Sequence, residues 1–359
     1  MKNQKIALTA ASLAAAMMLV ACGGGGGGSS GGSAGQPVAP SVPASQGNLQ
    51  TTVPNATYTG ASTQASLFAT LNTYRSSMGV GQLAQDTILD TAAQAHALYL
   101  NTNFANGSIS VVTHNEVSGN TNYYEATPLS RARKAGAPST EWISENAAVG
   151  LAQTSSAAFA SDCLGQYLNT VYHLQGVTEV LETIGVGFAQ DTAQGTYSCV
   201  LDFGQKTGVS GTPSDNGYLT SAGQQMATTA IAHVPLANET GVARAMVAEL
   251  PNPAPDVASP GRPIMVRVTA ADAGDVLTVS SFTLTSAGGI VVPARIIVPS
   301  AALTGSSGAT ADLNNAMAAG VAFLLPLAPL AANTTYSVSF SGARKGTPTS
   351  TAWSFTTGS

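Results

Sequence analysis

His173-Leu174-Gln175-Gly176-Val177, followed shortly by Ile184-Gly185-Val186-Gly187-Phe188, is the stretch from which the fold of this chain is read. Just before it, Phe159, Leu164, Tyr167, Leu168 and Val171 recur at helical spacing, which predicts a helix from about Ser156 to Leu174. His173 then falls in the last turn, where the negative end of the helix dipole favours a protonated or metal-bound imidazole. After it, Thr183 to Gln190 and Thr196 to Gly204 read as two strands joined by the turn Asp191-Thr192-Ala193-Gln194-Gly195, a hairpin. A helical layer over an antiparallel sheet follows from that order.

Working outward, two amphipathic helices precede this unit. Leu67, Phe68, Leu71 and Tyr74 share one face of the first. In the second, which starts after the cap residue Asp86, the stripe is Leu89, Ala92, Ala93, His96, Tyr99 and Leu100. His96 on that stripe reads as a hydrogen-bonded core histidine. Between Asn103 and Thr127 the chain becomes a polar loop carrying His114, Asn115 and Glu116, and Thr127-Pro128 opens a further helix with Arg131 and Arg133 behind it. The chain has four histidines, so His114 and His173, with the pair Glu145-Asn146 between them in sequence, stand out as candidate site residues. His-Glu-His is a set that can bind Zn²⁺ or another divalent metal with positions left open for water; the alternative is a polar cluster in which the two imidazoles hydrogen-bond across a cavity and Glu145 orients one of them.

The first residues describe an export signal. Met1-Lys2-Asn3-Gln4-Lys5 is basic, the apolar run from Ile6 to Val20 is too short to span a bilayer, and Leu19-Val20-Ala21 precedes Cys22. This resembles a bacterial lipoprotein signal over residues 1–21, with Cys22 as the lipidated first mature residue. Gly23 after the cysteine implies sorting to the outer membrane or cell surface in a Gram-negative host. Residues 22–60, rich in Gly, Ser, Ala and Pro, read as a flexible tether that holds the folded part about 35 Å from the membrane. Charged residues make up only 9% of the chain and the net charge is −5, so no basic stripe exists to bind nucleic acid.

With Cys22 set aside, Cys163 and Cys199 remain. In an oxidising extracytoplasmic compartment one disulfide is the simplest reading, tying the helix to the second hairpin strand. A thiolate pair for a metal is the alternative, and it lacks CxxC spacing.

The ordered series Leu71-Asn72-Thr73-Tyr74-Arg75, Leu83, Asp86, Leu89, Ala93, His96-Ala97, His114, Arg131, Glu145-Asn146, Gly150, His173 and Ile184-Gly185-Val186-Gly187 resembles the CAP superfamily of cysteine-rich secretory, antigen 5 and pathogenesis-related 1 proteins, in its bacterial secreted branch. The resemblance implies an α-β-α sandwich over residues 61–208. It also implies a cavity in which His114 matches the first histidine, Glu145 the glutamate of a Gly-Glu-Asn motif, and His173 the histidine of a Ser-x-x-His motif. The chain departs from the family pattern at Ser144, Tyr167, Thr170 and Leu174, where the family has Gly, Trp, Ser and Arg. Glu116 is the nearest candidate for the second cavity glutamate.

Residues 209–227 read as a linker and 228–359 as an all-β domain. Ile264 to Val268, Ser281 to Leu284 and Thr335 to Phe340 alternate at period two between Pro, Gly and Asn turns. The segments Pro235 to Val242 and Thr351 to Thr357 are similar to those of bacterial Ig-like domains, with Trp353 and Phe355 packing in the core; nothing around His233 suggests a role. The fold class is therefore α+β, a CAP-like sandwich followed by an Ig-like β-sandwich. Neither histidine has a nucleophile motif beside it, which gives catalysis no independent support. The resemblance implies a binding protein for a small lipid or cell-wall ligand; the alternatives are a metal-assisted hydrolase and a structural adhesion protein. By family analogy the lipid class includes sterols.

Overall fold

The computed structural model describes residues 49–207, 209, 211–214, 225–270 and 274–359. The signal segment 1–21, Cys22, the tether up to residue 48 and residues 215–224 of the linker lie outside the described residues. The described residues belong to one compact unit, Ala44–Ser359.

Its first half has helices on both faces of a four-stranded sheet. In chain order it contains α1 (Thr63–Ser77), β1 (Ala84–Gln85), α2 (Thr87–Ala105), α3 (Pro128–Ala135), β2 (Trp142–Leu151), α4 (Ser156–Leu168), α5 (Tyr172–Val177), β3 (Thr183–Asp191) and β4 (Thr196–Gln205). The sheet order is β1-β3-β4-β2, antiparallel apart from the short β1–β3 pair. Side chains alternate across β4. Val200 packs with Ala93, Ala97 and Leu100 of α2, while Cys199, Leu201 and Phe203 face α1 and α4. The helix starts are those the sequence signals. Asp86 accepts from Ile88 N at the head of α2, and Thr127 with Ser130 forms a capping box at α3, with Pro128 in the first turn. The expected hairpin is β3–β4, and Cys163 is bonded to Cys199.

Gly185 and Gly187 explain the glycine spacing in β3. Both face α2, and a Cβ on Gly185 would run into the Leu89 carbonyl carbon, one on Gly187 into the Ala93 carbonyl oxygen. The helix backbone therefore rests directly on the strand. Two side-chain bridges hold this contact, Asp90 Oδ1 accepting from Val186 N at 2.8 Å and Gln94 Oε1 from Phe188 N at 3.1 Å.

The helix expected from Ser156 to Leu174 is two helices. After Leu168 the chain leaves helical geometry at Asn169, and Thr170 Oγ1 donates back to Tyr167 O at 2.8 Å, which turns the chain before α5 begins. His173 thus lies in the first turn of α5, and the dipole argument for its charge does not hold. Residues 49–60, within the stretch read as tether, lie against the folded unit. Gln50 Nε2 donates to Gln82 O and Glu182 O, and Tyr58 Oη donates to Asp90 Oδ1 at 2.6 Å.

The second half is built from strands: β5 (Ala232–Val234), β6 (Ile264–Arg267), β7 (Leu277–Ser286), β8 (Ala294–Val298), a 3-10 turn (Ser300–Gly305), β9 (Ala309–Ala311), β10 (Val321–Pro326), β11 (Thr335–Arg344) and β12 (Thr347–Thr356). They form sheets of order β5-β6-β10-β8-β9 and β12-β11-β7. Trp353 and Phe355 are buried between them with Val266, Leu284 and Phe340. Met265, Phe323 and Leu325 instead join the core of the first half against Val177 and Val180. The polar contacts across the same join centre on α5. Gln175 Nε2 donates to Ala316 O at 3.0 Å, Gln175 Oε1 accepts from Ala318 N at 2.7 Å, and Arg267 donates to Gln175 O at 3.0 Å.

Gly187→Val should separate α2 from β3 and cost about 1–3 kcal/mol or more by forced overpacking, read from urea unfolding; Gly195→Asn, in the open hairpin turn at φ 66°, where asparagine is tolerated, should cost less.

Candidate functional site

β2 is an edge strand of the first sheet, and a cavity of about 400 Å³ follows its open side. Ala147, Ala148 and Val149 of β2 form its floor, and Val111 and Val112 of the polar loop one wall. The opposite wall is Tyr167, Thr170 and His173, and the segment 247–252 from the second half closes the remaining side. His114 and His173 both line the cavity, their ring centroids 6.2 Å apart. Such a volume, with mostly apolar walls and a few convergent polar groups, is what small-molecule sites require.

Each group is held by a distinct set of bonds. Glu145 projects from β2 into a buried charge cluster, where Arg131 Nη2 donates to its Oε2 at 2.6 Å and His114 Nδ1 meets its Oε1 at 2.8 Å. Arg131, fully buried on α3, also donates to His114 O at 3.0 Å, so one side chain fixes the loop, the helix and the strand together. Burial alone would raise the Glu145 carboxyl. Arg131, with His96 and His114, outweighs that and holds it well below the usual carboxylate range. Asp202 is paired with Glu145 across β2 and β4. Burial, then the charge of Glu145, push its carboxyl well above the usual range against the pull of Arg131.

His96 is buried, as its place on the apolar stripe implied. Its Nδ1 lies 3.0 Å from Glu116 Oε1 and its Nε2 2.9 Å from Thr113 O. Glu116 also accepts from Tyr124 N at 2.6 Å. It is therefore spent on holding the polar loop to α2 and does not join the cavity, as its proximity to His114 in sequence had suggested.

The carboxylate beside His173 comes instead from Glu249, which sequence reasoning did not single out. Its side chain is 0% exposed, Oε2 lies 3.3 Å from His173 Nδ1, and the carboxylate accepts from Val171 N at 2.6 Å and Tyr172 N at 3.1 Å. The main-chain oxygen of His173 accepts from Asn146 Nδ2 at 2.9 Å. Glu249 lies 78 residues from Val171, in an irregular stretch after the linker with no motif around it, so no local signal pointed to it.

Of the three residues expected to ligate a metal, only the two imidazoles meet in the cavity. Both Glu145 oxygens are engaged by Arg131 and His114, and among the described residues no three His, Cys, Asp or Glu side chains form a group that could hold an ion. Glu145 stands behind His114 and is not among the residues lining the cavity.

Residues 68–203 match the family model described as CAP, the cysteine-rich secretory protein family. This segment is a CAP family domain. Among solved structures, an outer surface protein from Borrelia burgdorferi is similar to the chain at 20% identity and a TM-score of 0.31, covering 39% of this chain and 90% of its own. The search of curated proteins finds no match. The matched segment ends before the second half, so the wall that carries Glu249 lies outside the CAP domain.

The raised Asp202 carboxyl has a consequence for stability. The folded protein keeps that proton where the unfolded chain, at an ordinary aspartate value of about 3.9, releases it, so Asp202 lowers stability as pH rises from there toward its raised folded value. Asp202→Asn should flatten this decline, measured as unfolding free energy in urea between about pH 5 and pH 8.

Proposed function

We propose that the chain is an extracytoplasmic binding protein, lipid-anchored through Cys22 at the bacterial cell surface, whose CAP domain cavity holds a small, mostly apolar ligand and whose second half is an Ig-like domain. The observation that carries the reading is the cavity along β2, with apolar walls and two oriented imidazoles at one end. The lipoprotein-like signal at residues 1–22 supports the location, and the low charge of the chain fits an apolar cargo better than a polyanion. N-phenyl-1-naphthylamine, a neutral apolar fluorophore, should bind saturably to the wild-type chain, and Val149→Trp, which fills the floor, should weaken it at least tenfold. An unsaturable signal, or one that Val149→Trp leaves unchanged, would overturn the reading.

A second reading has one observation in its favour. Each imidazole has its Nδ1 against a carboxylate, His114 against Glu145 and His173 against Glu249, the arrangement that orients metal-ligating histidines. A divalent ion such as Zn²⁺ would then take the two Nε2 atoms, with both glutamates behind them. Calorimetry with Zn²⁺ should show one site lost in His114→Ala and His173→Ala and weakened about 10–100-fold in Glu145→Gln; equal heats in wild type and both histidine variants would end it.

A further inference from the structure

We propose that Glu249 is a positioning residue which makes the polar end of the cavity a hydrogen-bond acceptor, so that the site takes an apolar molecule with a donating head, an alcohol, in preference to the carboxylate of the same chain. This rests on the cavity-binding reading above and names its ligand class.

The argument starts from where the donors go. His114 Nδ1 is hydrogen-bonded to Glu145 at 2.8 Å, and His173 Nδ1 lies 3.3 Å from the Glu249 carboxylate, so in each neutral ring the nearby carboxylate favours the proton on Nδ1. Thr170 Oγ1 donates to Tyr167 O, and Tyr167 Oη donates to Cys199 O at 2.8 Å. Neither Nε2 has a hydrogen-bond partner among the described residues, and both rings line the cavity. Two bare nitrogen lone pairs therefore face the ligand. No Arg or Lys is among the described residues lining this cavity, while the Glu249 carboxylate lies behind one ring. A hydroxyl head satisfies such an end, and an anionic head there meets lone pairs and a like charge with no Arg or Lys in the lining to offset its lost hydration.

The carboxylate belongs to a wall that the CAP segment lacks. Val247 N donates to Asn169 O at 2.8 Å, which brings the chain in beside the break between α4 and α5, and Glu249 then reaches the Val171 and Tyr172 N–H groups. Those two bonds lock the side chain, and the locked carboxylate at 3.3 Å from Nδ1 biases the His173 tautomer electrostatically. The groups facing that ring are the Glu249 carboxylate, the Tyr167 ring at 5.9 Å and the His114 ring at 6.2 Å. Of these, the Glu249 carboxylate is the one that sets where the proton goes.

The test pairs two measurements on the full chain at pH 8. Calorimetry with 1-decanol and with decanoate should show the alcohol at least tenfold tighter, and ¹⁵N-correlated NMR of the imidazoles should find the His173 proton on Nδ1. In Glu249→Ala that proton should move to Nε2 and the alcohol preference fall at least fivefold. Glu249→Gln, whose single amide oxygen can still accept from Val171 N while its NH2 group faces Nδ1, should retain the fold and, like Glu249→Ala, move the proton to Nε2. Decanoate binding as tightly as decanol, or a wild-type His173 proton on Nε2, would overturn the proposal, as would an unchanged tautomer in a folded Glu249→Ala. If neither chain binds while the His173 proton is on Nδ1 in wild type and moves in Glu249→Ala, the binding reading and the ligand class fall and the positioning role stands.

Discussion

The arrangement of the site depends on one buried guanidinium. Arg131 has no exposed surface and donates to Glu145 and to the His114 carbonyl, joining α3, β2 and the polar loop at a single point. A buried charge is tolerable only when paired, and removing one partner of such a pair typically costs about 3–5 kcal/mol. That cost keeps Glu145 in place, and a fixed Glu145 fixes His114. The direction in which His114 presents its Nε2 is thus settled by a residue that does not itself line the cavity.

A second constraint comes from the other half of the molecule. α5 has only six residues, too short to be stable on its own, and its position is set by what packs on it. Arg267 and the Ala316 to Ala318 backbone take the polar groups of Gln175, Tyr172 Oη donates to Asp312 at 2.5 Å, and Glu249 accepts the N–H groups at the start of the helix. His173 rides on this element. The β-rich half therefore does more than space the CAP domain from its surroundings, because the wall and the carboxylate behind one imidazole belong to it.

Much of the first half was legible because its signals are local. Apolar periodicity gave α1 and α2, the Thr127-Pro128 start gave α3, and the β3–β4 hairpin followed from its turn. His114, Glu145 and His173 were legible as an ordered series, and the structure does bring Glu145 to His114 and His114 to the same cavity as His173. What stayed hidden is non-local. β2 carries Glu145, Asn146 and Gly150, which blur its alternation, so it was never singled out as a strand. The break after Leu168 depends on a hydroxyl choosing its own helix carbonyl, and Glu249 is joined to its partners only through the fold. Glu116 was misplaced for the converse reason, since adjacency to His114 in sequence says nothing about which side of the loop a carboxylate faces.

The departures from the family pattern then become a physical argument. Leu174 stands where the family has Arg, and it is fully buried in the core that also contains Met265, Phe323 and Leu325 of the second half. A guanidinium there would need a buried partner, whereas a leucine at a join between two sheets and a helix needs none. Thr170 in place of Ser keeps the hydroxyl that ends α4, and Tyr167 in place of Trp keeps an aromatic wall while sending its hydroxyl to Cys199 O. Ser144 pairs with Phe203 in regular β register, a position where the turn freedom of glycine has no use. Three of these four substitutions lie on the α4–α5 side of the cavity, and Leu174 packs directly into the join with the β-rich half. The altered residues around His173 are therefore what a CAP cavity requires once another part of the same chain supplies one of its walls.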